Sequence, residues 1–265
     1  MRTPSLAEVV DLLYRRYDPA LAAPWDSVGL TVGDPTAPVR KVFFALDPVA
    51  ATVDEAIANK ADLLITHHPL FLKPVHGVPA TTWKGALAHR LIKADCALFT
   101  AHTNADRSNP GVNDALAAAL GLETTGPLTQ EGFGRIGRLS GPVTVREFAA
   151  KVSNCLPIGA AGIRVAGDPD RLIETVAICG GAGDDLFDQV RASGVDVYLT
   201  SDLRHHPISE AVEAGSPALI DAGHFATEWP WVEQAAKFLV SDLAVIGASV
   251  EVEVSRINTD AWSNV

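Results

Sequence analysis

The chain has 265 residues, of which 48% are hydrophobic and 20% charged, as expected for a folded globular protein. This length suits one large domain or two smaller ones. The formal net charge is −11, so the chain lacks the basic surface that nucleic-acid binding requires. We therefore expect no nucleic acid among its partners.

The N-terminal segment and the cysteines indicate the cellular setting. The segment MRTPSLAEVVDLLYRRYDP has the pattern of a short amphipathic helix and not that of a signal peptide. No stretch approaches the roughly 18 apolar residues that cross a bilayer. Cys96, Cys155 and Cys179 form no CxxC pair, which argues against a disulfide framework and a thiolate zinc site. We expect a soluble, cytoplasmic protein without membrane contact, in which any metal is held by nitrogen and oxygen.

Strand and helix patterns alternate along the first half of the chain. The patterns predict, in order, a helix over 5–17, a strand over 39–47, a helix over 49–60, the strand DLLIT, a helix over 84–94, the strand ALFTAH and a helix over 110–121. Such alternation predicts an α/β fold in which neighbouring strands run parallel.

The second half repeats the order of the first. Sliding the sequence along itself places 42–66 over 176–200 without a gap, with few identities but a shared order of strand, helix and acid-initiated strand. A histidine-rich segment follows each copy. We predict two similar α/β domains with mixed, largely parallel sheets related by an internal repeat. The first would span 1–125 and be completed by 223–265, and the second would span 126–222.

Two adjacent histidines, His67 and His68, stand where the strand DLLIT ends. Consecutive side chains of an extended segment point to opposite sides, so the pair fits a single ion badly. It suits two ions, or one ion and a neighbouring partner of that ion. Pro69 keeps residue 68 out of the α region. Because ligand sites of open α/β sheets lie outside the carboxyl ends of the strands, we expect a site here.

Further strand ends supply carboxylates. His224 and Glu228 are four residues apart, which on a helix places them on one face, although a chance surface pair is the alternative. Asp106 follows the strand ALFTAH. Mixed imidazole and carboxylate sets suit divalent ions such as zinc, iron and manganese, and one bridging carboxylate would let three histidines and two acids hold two ions. Four other polar residues lie in the same segments: His102, Asp202, His205 and His206.

At these residues the sequence resembles the Nif-three-like family of dinuclear-metal-centre proteins, often labelled GTP cyclohydrolase type 2 homologues. The resemblance spans the chain through WDSVGLTVGD, LLITHHPL, AHTNAD, VAICGGAG, TSDLRHH, DAGHFATE and NTDAW. Ser27 and Ser201 depart from it, since the family commonly has Asn and Gly there. The resemblance implies a toroidal homohexamer and two divalent ions per chain, whose identity stays open among zinc, iron and manganese. The ligands that it implies are His67, His68, Asp106, His224 and Glu228.

Two kinds of function remain open on this basis. One is a metal-dependent hydrolase in which Asp202, His205, His206 or His102 moves protons or orients the substrate. The resemblance implies a GTP cyclohydrolase-like reaction on a nucleotide or related phosphorylated small molecule, although the chain has no P-loop signature GxxxxGK. The alternative is a non-catalytic protein for metal storage, delivery or insertion, or a regulatory adaptor.

Overall fold

The computed structural model describes residues 1–263, which form two compact units. Unit 1 comprises Met1–Ser108 and Val232–Thr259, and unit 2 comprises Asn109–Trp231 and, near the C-terminus, residues 260–263. Both units are mixed α/β, which confirms the predicted fold class. No helix among residues 1–263 is both long enough and apolar enough to cross a membrane.

The compact units do not coincide with the predicted domains at two helices. One helix before residue 125 packs in unit 2, and one helix after residue 222 passes from unit 2 into unit 1. The first domain was predicted to run to residue 125, but Leu116 and Leu120 belong to the core of unit 2. The second domain was predicted to end at residue 222, whereas the chain enters unit 1 only after Trp231, inside a long helix. Residues 264 and 265, the end of the predicted first domain, lie outside the described residues.

Unit 1 is built on a five-stranded sheet with the order β1-β4-β3-β2-β11, in which only β1 runs antiparallel to its neighbour. Its helices and strands are α1 (Leu6–Arg16), β1 (Gly29–Val32), β2 (Lys41–Ala45), α2 (Ala50–Ala58), β3 (Leu63–Thr66), α3 (Trp83–Lys93), β4 (Ala97–Thr100), α4 (Thr103–Arg107) and β11 (Glu251–Val254). All residues of β3 and β4 are buried, because helices cover both faces of a parallel sheet.

Unit 2 is built on a six-stranded sheet with the order β5-β6-β8-β9-β10-β7, in which β8, β9 and β10 run parallel. Its elements are α5 (Val112–Ala119), β5 (Glu123–Gly126), β6 (Arg135–Thr144), α6 (Val145–Cys155), β7 (Arg164–Ala166), β8 (Leu172–Ala182), α7 (Phe187–Ser193), β9 (Val197–Ser201), α8 (His205–Glu213) and β10 (Ala218–Asp221). The long helix α9 (His224–Val245) begins in this unit.

The predicted repeat is present in the strand register. In unit 1, Val42 of β2 lies opposite Leu63 of β3. In unit 2, Val176 of β8 lies opposite Val197 of β9. These are the positions that the sequence comparison superimposes. Two strand pairs with few identical residues therefore adopt the same alignment.

An aspartate at the start of the second strand anchors each repeat. Asp62 Oδ2 accepts hydrogen bonds from the backbone N–H groups of residues 40 and 41 at 2.6 and 2.9 Å. Asp196 Oδ2 accepts the equivalent bonds from residues 174 and 175, both at 2.9 Å, and another from the Thr175 hydroxyl at 2.8 Å. Burial alone would raise the pKa of Asp196, but these hydrogen bonds lower it below its usual value.

Replacing Asp196 by Asn should lower the free energy of unfolding at pH 7 by about 1–2 kcal/mol, because a neutral amide oxygen accepts weaker hydrogen bonds. The depressed pKa means that the carboxylate's contribution is complete above the unfolded-state pKa of about 3.9 and is lost as the pH falls through the folded-state value. Urea unfolding at pH 7 and pH 3 measures both. Asp188→Asn, at an exposed carboxylate, is the matched control, and equal losses in the two variants would contradict the anchoring role.

Candidate metal centre

His67 and His68 follow β3 at its carboxyl end, as predicted, but their side chains do not point to opposite sides. Their ring centroids lie only 4.9 Å apart. The strand ends at Thr66, whose hydroxyl donates a 2.8 Å hydrogen bond to the His68 carbonyl oxygen and turns the chain. The alternation of an extended strand therefore no longer applies at these two residues. His67 is completely buried and His68 is partly exposed.

Hydrogen bonding determines which nitrogen of each ring faces a ligand. His67 Nδ1 lies 2.8 Å from the carbonyl oxygen of Ala101, which can only accept, so Nδ1 carries the proton. His67 Nε2 lies 3.6 Å from Asp106 Oδ1 on α4. His68 Nδ1 lies 2.6 Å from Asp47 Oδ1, at the end of the neighbouring strand β2. In both rings Nδ1 is held by an oxygen of the chain, so Nε2 is the nitrogen that could bind a metal.

His102 joins these two rings, although the sequence left it outside the ligand set. Its ring is edge-on to both, with centroid distances of 5.2 Å to His67 and 5.6 Å to His68. Its Nδ1 lies 3.0 Å from Asp26 Oδ2. Each of the three histidines offers a nitrogen, and these atoms lie within 4.8 Å of one another. Unit 1 therefore contains a group that could hold a metal ion.

Asp26 remains ionised beside His102. Its side chain is only 1% exposed, and this burial would raise its pKa. Hydrogen bonds from His102 and from Thr103 outweigh burial and lower the pKa to about 2. An ionised carboxylate can only accept hydrogen bonds, so His102 Nδ1 is the donor in this contact.

In unit 2, His224 begins α9 and Glu228 follows one turn later. His224 Nε2 lies 3.2 Å from Glu228 Oε1, the one-face geometry that their spacing predicts. His224 Nδ1 lies 2.8 Å from Asp202 Oδ2. Burial lowers the pKa of His224, but Glu228 and Asp202 raise it to about 11, so a metal would have to displace a proton.

Gly181 in β8 lies directly against this pair. It has a φ of +70°, and a Cβ atom at this position would lie 2.3 Å from Glu228 Oε1 and 3.3 Å from His224 Nε2. The Gly181 carbonyl accepts a 2.9 Å hydrogen bond from the Thr200 hydroxyl, and its N–H donates at 3.0 Å to the Thr227 hydroxyl. This glycine had no predicted role. Its signal was the Gly-Gly pair inside a strand pattern, which indicates a close approach.

A model of the Duf34/NIF3 (NGG1p interacting factor 3) family matches residues 4–261. The chain belongs to the NIF3 family. It is 50% identical over 268 residues to a Streptomyces coelicolor protein named GTP cyclohydrolase 1 type 2 homolog, with 98% of this chain and 94% of that protein covered. A Mycobacterium tuberculosis protein of the same name is 36% identical over 370 residues, covering 97% of this chain and 96% of that protein.

Solved structures agree with this NIF3 fold. A hypothetical protein from Staphylococcus aureus is 28% identical, with a TM-score of 0.93 and complete coverage of both chains. HcgD from Methanocaldococcus jannaschii is also 28% identical, with a TM-score of 0.80, covering 97% of this chain and 100% of that one.

The remaining predicted site residues have different surroundings in this NIF3 chain. Asp202 contacts His224 and so positions a ring. His205 and His206 begin α8, are exposed, and have ring centroids 5.1 Å apart. No three-residue metal-binding group in the part of the chain that the structure describes includes either of them. The nearby Arg204 forms an ion pair with Asp184, which raises the pKa of the guanidinium.

Gly181→Ala should reduce the metal content of the purified protein without altering any ligand, because the added methyl group displaces the Glu228 carboxylate. Gly194→Ala is the matched control, since Gly194 has the same φ of +70° but nothing within 4 Å of the added atom. In both variants the free energy of unfolding should fall by about 1–2 kcal/mol, because alanine is strained at a positive φ angle. Metal analysis and thermal unfolding separate the two effects, and equal metal content in both variants would refute the close-packing role of Gly181.

Proposed function

We propose that this chain binds two divalent metal ions and hydrolyses a nucleotide or a related phosphorylated small molecule. The proposed ligands are His67, His68, Asp106, His224 and Glu228. One observation carries the proposal: each of the three histidines has its Nδ1 held by a carbonyl or carboxylate oxygen. Metal-binding histidines are oriented in this way, because the partner fixes the tautomer and makes Nε2 more basic.

The chemistry of the donors fits zinc, iron or manganese. Three imidazoles and two carboxylates are nitrogen and oxygen ligands of intermediate hardness. Closed structural zinc sites mostly use thiolates, and no three-residue metal-binding group among the described residues contains a cysteine. The cradle formed by Gly181 supports the assignment of Glu228, since that glycine is what allows the carboxylate to take its position.

The side chains around the proposed ligands have separate roles in this hydrolase. When bound, the ions would lower the pKa of a water molecule toward neutrality. Asp47 and Asp202 hold the imidazole tautomers. His102 carries its proton on Nδ1 opposite Asp26, so its Nε2 can accept a proton from the attacking water. Asp202, His205 and His206 stay candidates for orienting the substrate.

The metal proposal is tested by metal analysis of protein expressed in metal-replete medium. We expect about two divalent ions per chain, a loss of roughly one ion in His67→Ala or His68→Ala, and a loss in Glu228→Ala. Glu233→Ala is the control, because Glu233 lies on the same helix and pairs with Arg256. A wild-type protein without metal, or full metal content in Glu228→Ala, would refute the assignment.

The catalytic proposal is tested with a panel of nucleotides that includes GTP, because relatives carry the name GTP cyclohydrolase 1 type 2 homolog. His102→Ala should keep the metal and lose about 10²- to 10⁴-fold in kcat, the usual size of a proton-transfer effect. His89→Ala, at a partly exposed histidine on α3, should keep full activity. If no compound is turned over faster than by metal-stripped protein, metal storage or delivery is the better interpretation.

A further inference from the structure

Trp25 is exposed although the loop that carries it is firmly held. Its side chain is 61% exposed, among the largest apolar surfaces of unit 1. Pro24 precedes it and fixes the backbone φ angle there. An exposed indole on a mobile loop would need no explanation. An exposed indole on an anchored loop is held in a defined position.

Thr103 and His102 anchor the loop on both sides of the indole. On one side, the Ala23 N–H donates a 2.9 Å hydrogen bond to the Thr103 hydroxyl. On the other side, Asp26 Oδ2 accepts hydrogen bonds from the Thr103 N–H at 3.1 Å, from the Thr103 hydroxyl at 2.5 Å and from His102 Nδ1 at 3.0 Å. The backbone on both sides of Trp25 is thereby tied to the start of α4.

The indole lies beside the three-histidine group of unit 1. Its ring centroid is 5.9 Å from that of His102, at an interplanar angle of 73°. His102 is in turn edge-on to His67 and His68. Only the His102 ring therefore separates Trp25 from an atom bound at His67 or His68. A substrate with a planar ring next to its reacting atom could reach both.

We propose that Trp25 is the stacking platform for a nucleobase, bound with its reacting part at the three-histidine group. The inference deepens the proposed function, on which it rests, by assigning the residue that recognises the ring of the substrate. Stacking suits this position because every base has a π-face and the indole is already ordered before binding. The net charge of −11 does not oppose the stacking itself, because a nucleobase is uncharged at neutral pH.

The experiment measures binding of GMP, AMP, UMP and ribose 5-phosphate to the metal-loaded full-length protein by isothermal titration calorimetry. Ribose 5-phosphate has the sugar and the phosphate but no planar aromatic ring that could stack on the indole. Wild-type protein should bind the nucleotides more tightly than ribose 5-phosphate. Trp25→Ala should weaken nucleotide binding about 5- to 150-fold, as expected for a lost base–aromatic stack, and leave ribose 5-phosphate binding unchanged. Trp25→Phe should restore part of the loss.

Trp83→Ala is the matched control, because Trp83 is 63% exposed in the same unit but packs against Lys84. Its nucleotide affinity should equal that of wild type. The proposal is overturned if wild-type protein binds no nucleotide more tightly than ribose 5-phosphate, or if Trp25→Ala weakens all four ligands alike. Metal analysis of the same samples distinguishes the two proposals. If the protein contains metal but Trp25→Ala does not change nucleotide binding, only the stacking role of Trp25 is refuted. If the protein contains no metal but still binds nucleotides more tightly through Trp25, only the dinuclear metal site is refuted.

Discussion

The parallel pairing of β2, β3 and β4 is the constraint on which the chemistry of unit 1 depends. The three strands end level with one another, so the residues that follow them meet at one edge of the sheet. Asp47 follows β2, His68 follows β3 and His102 follows β4, and they come from three distant parts of the sequence. The backbone hydrogen bonds between the strands thus bring Asp47, His68 and His102 to the same edge of the sheet.

The carboxylates that contact the imidazoles fix the orientation of each ring. Asp47 and Asp26 each accept a hydrogen bond from an Nδ1 atom in unit 1, and Asp202 does so in unit 2. A histidine without such a partner can rotate and exchange tautomers, and it would present a different atom each time. With the partner in place, the ring is oriented and its Nε2 atom points in one direction.

Much of the framework could be predicted from the sequence, because periodicity and strand-end position are local signals. The helices and strands of the first half lie where the pattern predicts them, and the repeat has the register that the comparison implied. The closeness of the His67 and His68 rings could not be predicted, since it depends on where β3 stops. Asp26 and Asp47 were missed as partners because their contacts are distant in sequence. The predicted domain bounds rest on the repeat, whereas the compact units divide before α5 because that helix packs with residues that follow it.

The shared register of the two strand pairs has a consequence for folding. β3 and β9 are both apolar strands that pair in parallel with a neighbour from their own half, each anchored by an aspartate at its start. While the chain is still unfolded, either strand satisfies the backbone of the other half's partner equally well. Crossed pairing of this kind is a characteristic failure of repeated architectures. The side chains at equivalent positions differ, with Phe43 and Phe44 in β2 where β8 has Ala177 and Ile178, so the two strand pairs do not pack alike.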